Sequence, residues 1–412
     1  MSVRRSMLLI LALAVSAQAL ASEPLRPEAG FGEFDRRARA GERLTVAFFG
    51  ASLTWGANAS DPNRTSYRAL VAQRLEQRYP NARFRFIDAA IGGTGSQLGI
   101  FRLDRDVLPH KPDLVFLDFS ANDTITTADR QSLASYEAIV RRIIAEAGAP
   151  VVQVIFPFQW DLKTPGEQLV RRAAHRKLSE AYGTACGDAI ELLKRRVADG
   201  AVKADELWPV DPVHPCDKGY VHFADAAWTA FEQAVAENRV CRIPPQPLHG
   251  DLFLNTRRAR LAELLPPASG WARATPLVQA SNYDMLMSRW LDSVVVARQA
   301  ATPAPLRVEF RGQFVMLFGE GTTKTGKLLA RIDGQPVAYM VKKRPETVFD
   351  PGALARRIGG TTHLVQVIAS DCDPSKYHVL EIEPVLASPD EELRIESLCV
   401  AGGEVDVRKA QP

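Results

Sequence analysis

Short apolar runs alternate with amphipathic segments through the first half of the chain. The apolar runs are rich in Val, Ile, Leu and Phe, which indicates buried strands, and they predict strands at residues 44–50, 83–90, 113–119 and 151–156. The segments between them repeat apolar side chains at helical spacing and predict helices at residues 66–79, 132–147, 167–182, 189–197 and 218–237. Strands that alternate with helices predict an α/β fold with a doubly wound parallel sheet.

The pattern changes at the proline-rich segment 243–249. Beyond it, short alternating segments are separated by Gly, Pro and Asp turns, which is typical of an antiparallel β-sandwich. The predicted strands lie at residues 306–310, 314–318, 327–332, 363–368, 377–382 and 393–400. We therefore predict an α/β domain over residues 22–247, followed over residues 248–412 by a helical or irregular linker, up to about residue 270, and a smaller β-sandwich domain.

The amino terminus has the pattern of a secretory signal peptide. Arg4 and Arg5 precede an apolar run, and the small-x-small sequence at residues 19–21 predicts cleavage after Ala21. No later stretch approaches the roughly 18 uninterrupted apolar residues of a membrane-spanning helix. We therefore expect residues 1–21 to be removed and the mature protein to be periplasmic or secreted, without an integral membrane segment.

Charge and cysteine content narrow the possible partners and crosslinks. The 412 residues carry 51 basic and 48 acidic side chains, a near balance that gives no reason to propose nucleic acid as a partner. An exported chain can form disulfides, and an odd number of cysteines leaves at least one unpaired. Cys372 with Cys399 is the preferred pair because both lie in the carboxyl-terminal part, whereas the predicted helix between Cys216 and Cys241 holds their ends more than about 20 Å apart. The five cysteines are Cys186, Cys216, Cys241, Cys372 and Cys399.

Ser52 follows the first predicted strand, after the small residues Gly50 and Ala51. Ligand sites of open α/β sheets form beyond the carboxyl ends of the strands, so a hydroxyl at this position is a candidate nucleophile. A serine after a strand is more often a turn or helix-capping residue. A catalytic interpretation therefore needs a base, an acid that orients it and donors for an oxyanion.

Asp211 and His214 lie three residues apart in one polar loop. This spacing lets the Asp211 carboxylate accept a hydrogen bond from one ring nitrogen of His214 while the second ring nitrogen faces outward. That hydrogen bond selects the tautomer that a general base requires. A histidine in a loop is more often a solvated surface residue. His222, on the following helix, is the rival base, but it has no carboxylate three residues before it.

Candidate oxyanion donors follow the second and third predicted strands. The loop that contains Gly92, Gly93 and Gly95 has unshielded backbone N–H groups, although a plain strand-to-helix turn would look the same, and Asn122 follows the third strand in the sequence Ser-Ala-Asn-Asp. The glycine loop lacks the spacing of nucleotide-binding motifs, and no His, Cys, Asp and Glu cluster has metal-ligand spacing. We therefore expect neither a cofactor nor a metal.

Taken in order, the sequences Gly-Ala-Ser, the glycine loop, Ser-Ala-Asn-Asp and Asp-Pro-Val-His-Pro resemble the SGNH (GDSL-like) hydrolase family over residues 42–240. The resemblance implies a flavodoxin-like three-layer α/β/α domain. It also implies that Ser52 is the nucleophile, His214 the base and Asp211 its orienting acid. The oxyanion hole implied by it comprises the Ser52 N–H, the Gly93 N–H (with Gly92 as the alternative) and the Asn122 amide. Two positions depart from the family pattern, Ala51 in place of Asp and Ser120 in place of Gly.

The leading functional hypothesis is an exported serine esterase that hydrolyses ester-linked acyl groups, most plausibly O-acetyl groups on a carbohydrate. The alternatives are a lipid acylhydrolase or thioesterase with the same residues, and a non-catalytic exported glycan-binding protein. The carbohydrate hypothesis depends on export and on the appended sandwich, because such domains often contact glycans. Trp271, Trp290 and Tyr339 are the candidate sugar-stacking residues there, although packing is the commoner role of such side chains.

Overall fold

The computed structural model describes residues 29–123, 125, 131–265, 269–278, 289–341 and 344–410. The predicted signal peptide and its cleavage site after Ala21 lie outside these residues. Within the described ranges, no helix combines the length and the apolar character needed to cross a membrane.

A five-stranded parallel sheet forms the centre of the amino-terminal half. Its strands are β1 (Arg43–Gly50), β2 (Arg83–Ala90), β3 (Leu114–Asp118), β4 (Val151–Ile155) and β5 (Ala185–Asp188). They pair in the order β2-β1-β3-β4-β5, the flavodoxin-like order, in which the winding reverses between β1 and β3. The predicted α/β fold is confirmed. The sequence analysis missed β5 because its four residues, Ala-Cys-Gly-Asp, include no β-branched or aromatic side chain.

Helices cover both faces of this sheet, as the periodicity predicts. They are α1 (Phe31–Arg39), α2 (Ser52–Trp55), α3 (Tyr67–Arg78), α4 (Ser96–Asp106), α5 (Gln131–Arg142), α6 (Val170–Tyr182), α7 (Ala189–Ala198), α8 (Ala204–Leu207) and α9 (Asp217–Ala236). Ion pairs between Arg74 and Asp225 join α3 to α9 on one face. On the other face, Arg141 of α5 donates to the Tyr182 hydroxyl of α6 at 2.9 Å. A π-helical turn, Ile143–Ala147, continues α5 to the end of the predicted helix.

Within the described residues, two six-stranded antiparallel sheets and one two-stranded sheet form the carboxyl-terminal half, and the two larger sheets confirm the predicted β-sandwich. The strands are β6 (Thr256–Arg260), β7 (Trp271–Ala274), β8 (Val294–Arg298), β9 (Leu306–Arg311), β10 (Phe314–Gly321), β11 (Lys327–Ile332), β12 (Gln335–Pro336), β13 (Tyr339–Val341), β14 (Arg344–Glu346), β15 (Val348–Phe349), β16 (Thr362–Ala369), β17 (His378–Val385), β18 (Glu392–Ala401) and β19 (Asp406–Lys409). Two short helices, α10 (Leu261–Leu264) and α11 (Ala353–Ile358), join them. The first large sheet has the strand order β16-β10-β18-β8-β7, and β6 also pairs with β18. The second large sheet has the strand order β12-β11-β17-β9-β19, and β15 also pairs with β11. The predicted linker needs a correction, because β6 already belongs to the sandwich.

The central strands of the first of these sheets, β8, β10 and β18, are buried on both faces. Along β18, Leu398 and Val400 point into the core between the two sheets, whereas Cys399 and Ala401 point into the core of the α/β half. Phe101 of α4 packs against Phe314 of β10, with ring centroids 6.1 Å apart. The two halves therefore share one hydrophobic cluster across their boundary.

Buried polar contacts hold the joint between the halves. Glu137 of α5 is 1% exposed, and its carboxylate accepts the backbone N–H groups of Leu248 and His249 at 2.7 and 2.8 Å. Arg105 of α4 forms an ion pair with Asp292 at 2.8 Å. The chain thus enters the sandwich through a segment tied to the first half.

The expected disulfide is absent, and all five cysteines are free thiols. Cys399 faces the cluster shared with the α/β half, whereas Cys372 packs against the cluster between the two sheets of the sandwich. Because the side chains of a strand alternate between its faces, the two thiols lie on opposite sides of the first sheet. Cysteines that point apart cannot be bridged without moving the backbone.

Candidate active site

The strands β1, β2 and β3 end level with one another. Gly50 is the register partner of Ala90 on one side and of Asp118 on the other. The chain continues from these three ends to Ser52, to the Gly92–Gly93 loop and to Asn122. Three of the predicted site segments are therefore gathered at the carboxyl edge of the sheet, where its winding reverses.

Ser52 is the first residue of α2, and its side chain is 4% exposed. The turn before it requires a glycine, because a Cβ on Gly50 would collide with Thr54 Oγ1 and with the carbonyl oxygen of Asp118. As the first residue of a helix, Ser52 has a backbone N–H without a partner inside that helix. The tight turn thus presents both a hydroxyl and an N–H at the sheet edge.

A continuous chain of hydrogen bonds joins Ser52, His214 and Asp211. Ser52 Oγ lies 2.9 Å from His214 Nε2. His214 Nδ1 lies 3.1 and 3.2 Å from the two carboxylate oxygens of Asp211. With the Nδ1 proton donated to the carboxylate, Nε2 is left as the acceptor for the serine proton. The fold thus brings Ser52 together with Asp211 and His214, about 160 positions away in the sequence, in one chain of hydrogen bonds.

The Asp211 carboxylate is held by three further donors. Its Oδ1 accepts the backbone N–H groups of Val213 and His214, each at 2.8 Å, and its Oδ2 accepts the side-chain amide of Asn58, also at 2.8 Å. The Asn58 amide also lies 3.2 Å from the carbonyl oxygen of His214. Burial opposes ionisation of Asp211, but these donors outweigh it and keep the pKa of the carboxyl below its ordinary value. Asp211 is therefore ionised at neutral pH.

Burial governs the ionisation of His214, which is 7% exposed. Removal of the ring from water lowers its pKa below the ordinary value, although the charge of Asp211 and the hydrogen bond to it act in the opposite direction. The imidazole is therefore neutral at pH 7, which is the state in which it accepts a proton.

Asn58 is a residue of this site that the sequence analysis missed. It has a left-handed backbone, with φ of 65°, a conformation that Asn adopts more readily than most residues. The segment Gly-Ala-Asn after the Ser52 helix is a local signal for such a turn, but it does not indicate which carboxylate the amide contacts. That contact depends on the Asp211 loop, 153 positions away in the sequence.

His222, the rival base, lies elsewhere. It occupies α9, where its ring contacts Arg196 and lies 3.9 Å from Asp225, and these side chains belong to the α7–α9 contact. Of the two candidate histidines, His214 is the one beside Ser52.

Gly93 and Asn122 occupy the loops at the same sheet edge. Gly93 is exposed and has a positive φ of 72°, with open space where a side chain would be. Asn122 is half-buried, in a turn where its backbone N–H donates to Phe119 at 3.0 Å. Asp123 joins the two loops, because its Oδ1 accepts the backbone N–H of Ser96 at 2.7 Å. Gly92, the alternative donor, is buried.

Ser120, one of the two departures from the family pattern, ties the ends of β3 and β4 together. Its hydroxyl lies 3.1 Å from Asp118 Oδ1, 3.3 Å from the carbonyl oxygen of Val154 and 3.2 Å from the backbone nitrogen of Phe156. Complete burial raises the pKa of Asp118 to about 7, although hydrogen bonds from Ser120 oppose the rise. The serine thus adds a link beneath the site that a glycine at this position would lack.

The aromatic residues expected to stack on sugars are mostly structural. Trp271 and Trp290 are buried, and the Trp271 indole donates to the carbonyl oxygen of Ala304 at 2.8 Å. Tyr339 is half-buried, stacks on Phe349 at 4.4 Å and donates its hydroxyl proton to Val348. For the two tryptophans the structure therefore shows packing, the role that the sequence analysis gave as the commoner one, rather than sugar stacking.

No group of three or more His, Cys, Asp or Glu side chains in the described part of the chain is arranged to hold a metal ion. The site described here consists of a hydroxyl, an imidazole, a carboxylate and amide donors. This set of groups matches acyl transfer, in which a hydroxyl attacks a carbonyl while a base removes its proton.

Comparison with known proteins identifies relatives of both the first half and the whole fold. Residues 48–222 match the family described as GDSL-like Lipase/Acylhydrolase. A two-domain esterase active on acetylated mannans, CEX, co-crystallised with mannopentaose, has a TM-score of 0.67 at 20% identity, with 92% of this chain and 95% of that chain covered. A second crystal structure of CEX has the same TM-score and identity, with 91% and 95% covered. A catalytic mutant of the acetylxylan esterase Axe2 from Geobacillus stearothermophilus has a TM-score of 0.39 at 18% identity and covers 46% of this chain and 94% of that chain. No curated protein matches the chain significantly.

Proposed function

Because residues 48–222 match the family described as GDSL-like Lipase/Acylhydrolase, we propose that this protein is an exported serine esterase that removes O-acetyl groups from a carbohydrate. In this proposal Ser52 is the nucleophile, His214 the general base and Asp211 its orienting acid. The oxyanion hole comprises the Ser52 N–H, the Gly93 N–H and the Asn122 side-chain amide.

The hydrogen-bond chain from Ser52 through His214 to Asp211 carries the proposal. A serine hydroxyl is a weak nucleophile until a base removes its proton, and His214 Nε2 lies within hydrogen-bond distance of it, at 2.9 Å. The lowered pKa of His214 keeps the imidazole neutral, and the ionised Asp211 stabilises the imidazolium when it forms.

The first half of the reaction transfers the acyl group. Ser52 Oγ attacks the ester carbonyl carbon while His214 Nε2 takes the hydroxyl proton, and the carbonyl oxygen becomes an oxyanion. Donors at the sheet edge stabilise that charge, each by roughly 3 kcal/mol. Collapse of the intermediate breaks the bond to the sugar oxygen, which leaves with the proton from His214, and the acetyl group remains on Ser52.

The second half releases acetate. A water molecule gives a proton to His214 Nε2 and attacks the acetyl carbonyl carbon. A second oxyanion forms and is stabilised by the same hydrogen-bond donors. Its collapse breaks the bond to Ser52 Oγ, which recovers its proton from His214. The net reaction consumes one water and yields acetate and the sugar alcohol, and Asp211 stays ionised throughout.

Two observations support a carbohydrate acetate as the substrate. The CEX esterase, described as active on acetylated mannans, aligns with both the α/β half and the β-sandwich of this chain. The sandwich also packs against α4, the helix that follows the Gly93 loop. Export is supported by the sequence of residues 1–21.

Release of acetate from acetylated manno- and xylo-oligosaccharides by the purified protein tests the proposal. Ser52→Ala is expected to lower kcat by at least about a thousandfold on these substrates, because it removes the covalent step. His214→Ala should be similarly severe. His222→Ala is the matched control, and it should retain the rate of the natural protein because His222 is part of the α7–α9 contact.

Equal losses in the two histidine variants would contradict the assignment of the base. A panel of nitrophenyl esters of increasing acyl length tests the acyl group, and we expect the rate to be highest for acetate. A rate that rises with chain length would favour the lipid acylhydrolase, and no hydrolysis of any ester would favour the non-catalytic glycan-binding protein.

A further inference from the structure

An exposed tryptophan stands beside the loop that carries Asp211 and His214. Trp160 is 48% exposed, more than any other tryptophan in the described part of the chain. It lies in the turn Gln159–Leu162, which follows the carboxyl end of β4. Burial of an indole's apolar surface is favourable, and an exposed indole does not gain this free energy in the folded protein. An exposed tryptophan beside a reactive site is therefore a candidate ligand contact.

The Trp160 ring is stacked on a second aromatic ring. Its centroid lies 4.5 Å from that of Phe158, with 29° between the ring planes. The Arg171 guanidinium lies 4.8 Å from the Phe158 ring centroid. Phe158 thus covers one face of the Trp160 ring, while 48% of the residue's surface remains exposed.

Hydrogen bonds fix this aromatic pair in place. Asp161 is buried, accepts the Phe158 backbone N–H at 2.7 Å and forms an ion pair with Arg171. Arg171 also donates to the carbonyl oxygen of Phe156 at 2.9 Å, at the carboxyl end of β4. The stacked pair of Trp160 and Phe158, called the aromatic platform below, is therefore already ordered before a ligand binds. This order reduces the entropy lost on binding.

The platform is joined directly to the candidate active-site loop. The Gln159 backbone N–H donates to the carbonyl oxygen of Pro212, between Asp211 and Val213, at 2.9 Å. The Gln159 side-chain amide donates to Asp205 at 3.1 Å. Trp160 is therefore held one residue away from a contact with the loop of the candidate base.

We propose that Trp160, supported by Phe158, is a carbohydrate subsite on which a pyranose ring of the substrate stacks next to the acetylated residue. This inference rests on the proposed function and names the side of the site along which the sugar chain extends. A pyranose presents a flat face of C–H groups that packs on an indole, while its hydroxyls bond to neighbouring amides and carboxylates. Gln159 and Asp205 supply such groups at the edge of the platform.

The surroundings of Trp160 favour a sugar over a lipid chain or a protein partner. A lipid would need an enclosing apolar groove, whereas the turn contributes the polar residues Gln159 and Lys163 and the neighbouring helix α8 contributes Asp205. A stable protein interface would need a broad surface with several apolar anchors. A single supported aromatic ring with a polar edge matches a sugar.

The test compares two substrates in Trp160→Ala and in the natural protein. KM for acetylated manno- and xylo-pentaose should rise by about tenfold, because remote contacts with a polymer contribute binding energy that a small ester never engages. The kcat/KM for 4-nitrophenyl acetate should stay within about twofold. Trp160→Phe should restore most of the affinity for the oligosaccharide, because it keeps a flat aromatic face.

Two control variants test whether the change in KM is specific to Trp160. Glu167→Ala changes an exposed side chain between β4 and α6, and Tyr339→Ala removes one ring of the stacked pair Tyr339–Phe349 in the sandwich. Both should leave KM for the oligosaccharides unchanged. An unchanged KM in Trp160→Ala, a rise confined to Tyr339→Ala, or equal losses on the aryl acetate and the oligosaccharide would each overturn the subsite.

Calorimetric titration with unacetylated manno- and xylo-pentaose separates this proposal from the proposed function. Binding to Ser52→Ala that is lost in Ser52→Ala/Trp160→Ala supports the subsite even if no acetate is released from any glycan, an outcome that would refute only the proposed reaction. Binding that survives in the double variant, or no binding to Ser52→Ala, would refute the subsite even if the enzyme removes acetate.

Discussion

At the scale of single residues, Asn58 connects the two members of the Asp211–His214 pair. Its amide nitrogen lies within hydrogen-bond distance of both the Asp211 carboxylate and the His214 backbone carbonyl, so one side chain orients the carboxylate against the loop that carries the imidazole. A hydrogen bond to a charged group contributes about 1.5–3 kcal/mol, which converts to a factor of about ten or more in a rate.

Asn58→Gly is expected to lower kcat by about tenfold to a hundredfold and to leave KM nearly unchanged, because it removes the amide that positions Asp211. Glycine tolerates the left-handed backbone of this position, so the free energy of unfolding should fall only by the contribution of the lost hydrogen bond, about 1.5–3 kcal/mol. Steady-state kinetics and thermal unfolding check both expectations. Asn63→Gly, an exposed asparagine in the same loop, is the control, and equal effects of the two substitutions would refute the positioning role.

The pH dependence of the rate follows from the environment of His214. Burial lowers the pKa of the folded protein's imidazole below the ordinary value of 6.5. Since the base acts only when neutral, activity should be fully present above that ordinary value and should be lost as the pH falls through the lowered pKa. We expect the acid limb of kcat/KM for 4-nitrophenyl acetate to have its midpoint below 6.5, and a midpoint above about 7 would contradict the burial argument.

At the scale of secondary-structure elements, the turn from β1 to α2 places the candidate nucleophile. The helix packs so closely on the strand end that Thr54 Oγ1 and the Asp118 carbonyl oxygen occupy the space of a side chain at Gly50. Thr54 Oγ1 also lies 3.4 Å from the Asp118 carboxylate. The position of Ser52 therefore depends on the absence of one methyl group.

Gly50→Ala is expected to destabilise the protein by about 1–3 kcal/mol, because the added Cβ would lie well under 3.0 Å from these two groups. Helix α2 must shift to make room for the added Cβ, and Ser52 shifts with it. The rate should therefore fall by a larger factor than the fraction of folded protein does. Chemical denaturation and kcat measured on the folded fraction separate the two effects. Gly166→Ala, where nothing lies within 4 Å of a Cβ, should change neither.

At the scale of the whole molecule, the two halves are packed as one body rather than tethered by a linker. Phe101 of the first half contacts Phe253 and Phe314 of the second, with ring centroids 6.3 and 6.1 Å away. Both faces of the β10–β18 sheet are buried, one inside the sandwich and one against α4. Each half therefore covers apolar surface of the other.

Deletion of residues 248–412 should thus leave a first half that is unstable or aggregated, even though the Ser52, His214 and Asp211 side chains are all retained. The physical reason is that Phe101 and its neighbours on α4 would be exposed to water, and full burial of one such side chain contributes roughly 1.5–3 kcal/mol. Solubility, circular dichroism and hydrolysis of 4-nitrophenyl acetate by the truncated protein check this. A soluble, folded fragment with the aryl acetate activity of the full chain would show that the contact is dispensable.

Local sequence patterns determined the elements and several of the candidate residues. The strand before Ser52, the helix predicted at residues 66–79 and the spacing of Asp211 and His214 each depend on neighbours within a few positions, so their physical consequences can be derived from the sequence. The alternation of apolar and polar residues likewise predicted both the parallel sheet and the sandwich.

The tertiary structure decided which distant groups meet. It brought His214 rather than His222 to Ser52, placed the amide of Asn58 on Asp211, and set Cys372 and Cys399 on opposite sides of a sheet. It also buried Trp271 while leaving Trp160 exposed beside the loop that carries Asp211 and His214. Each of these outcomes depends on packing between segments that are far apart in the sequence. The residues next to a position in the sequence do not indicate which distant residue it contacts or whether its side chain is exposed to solvent.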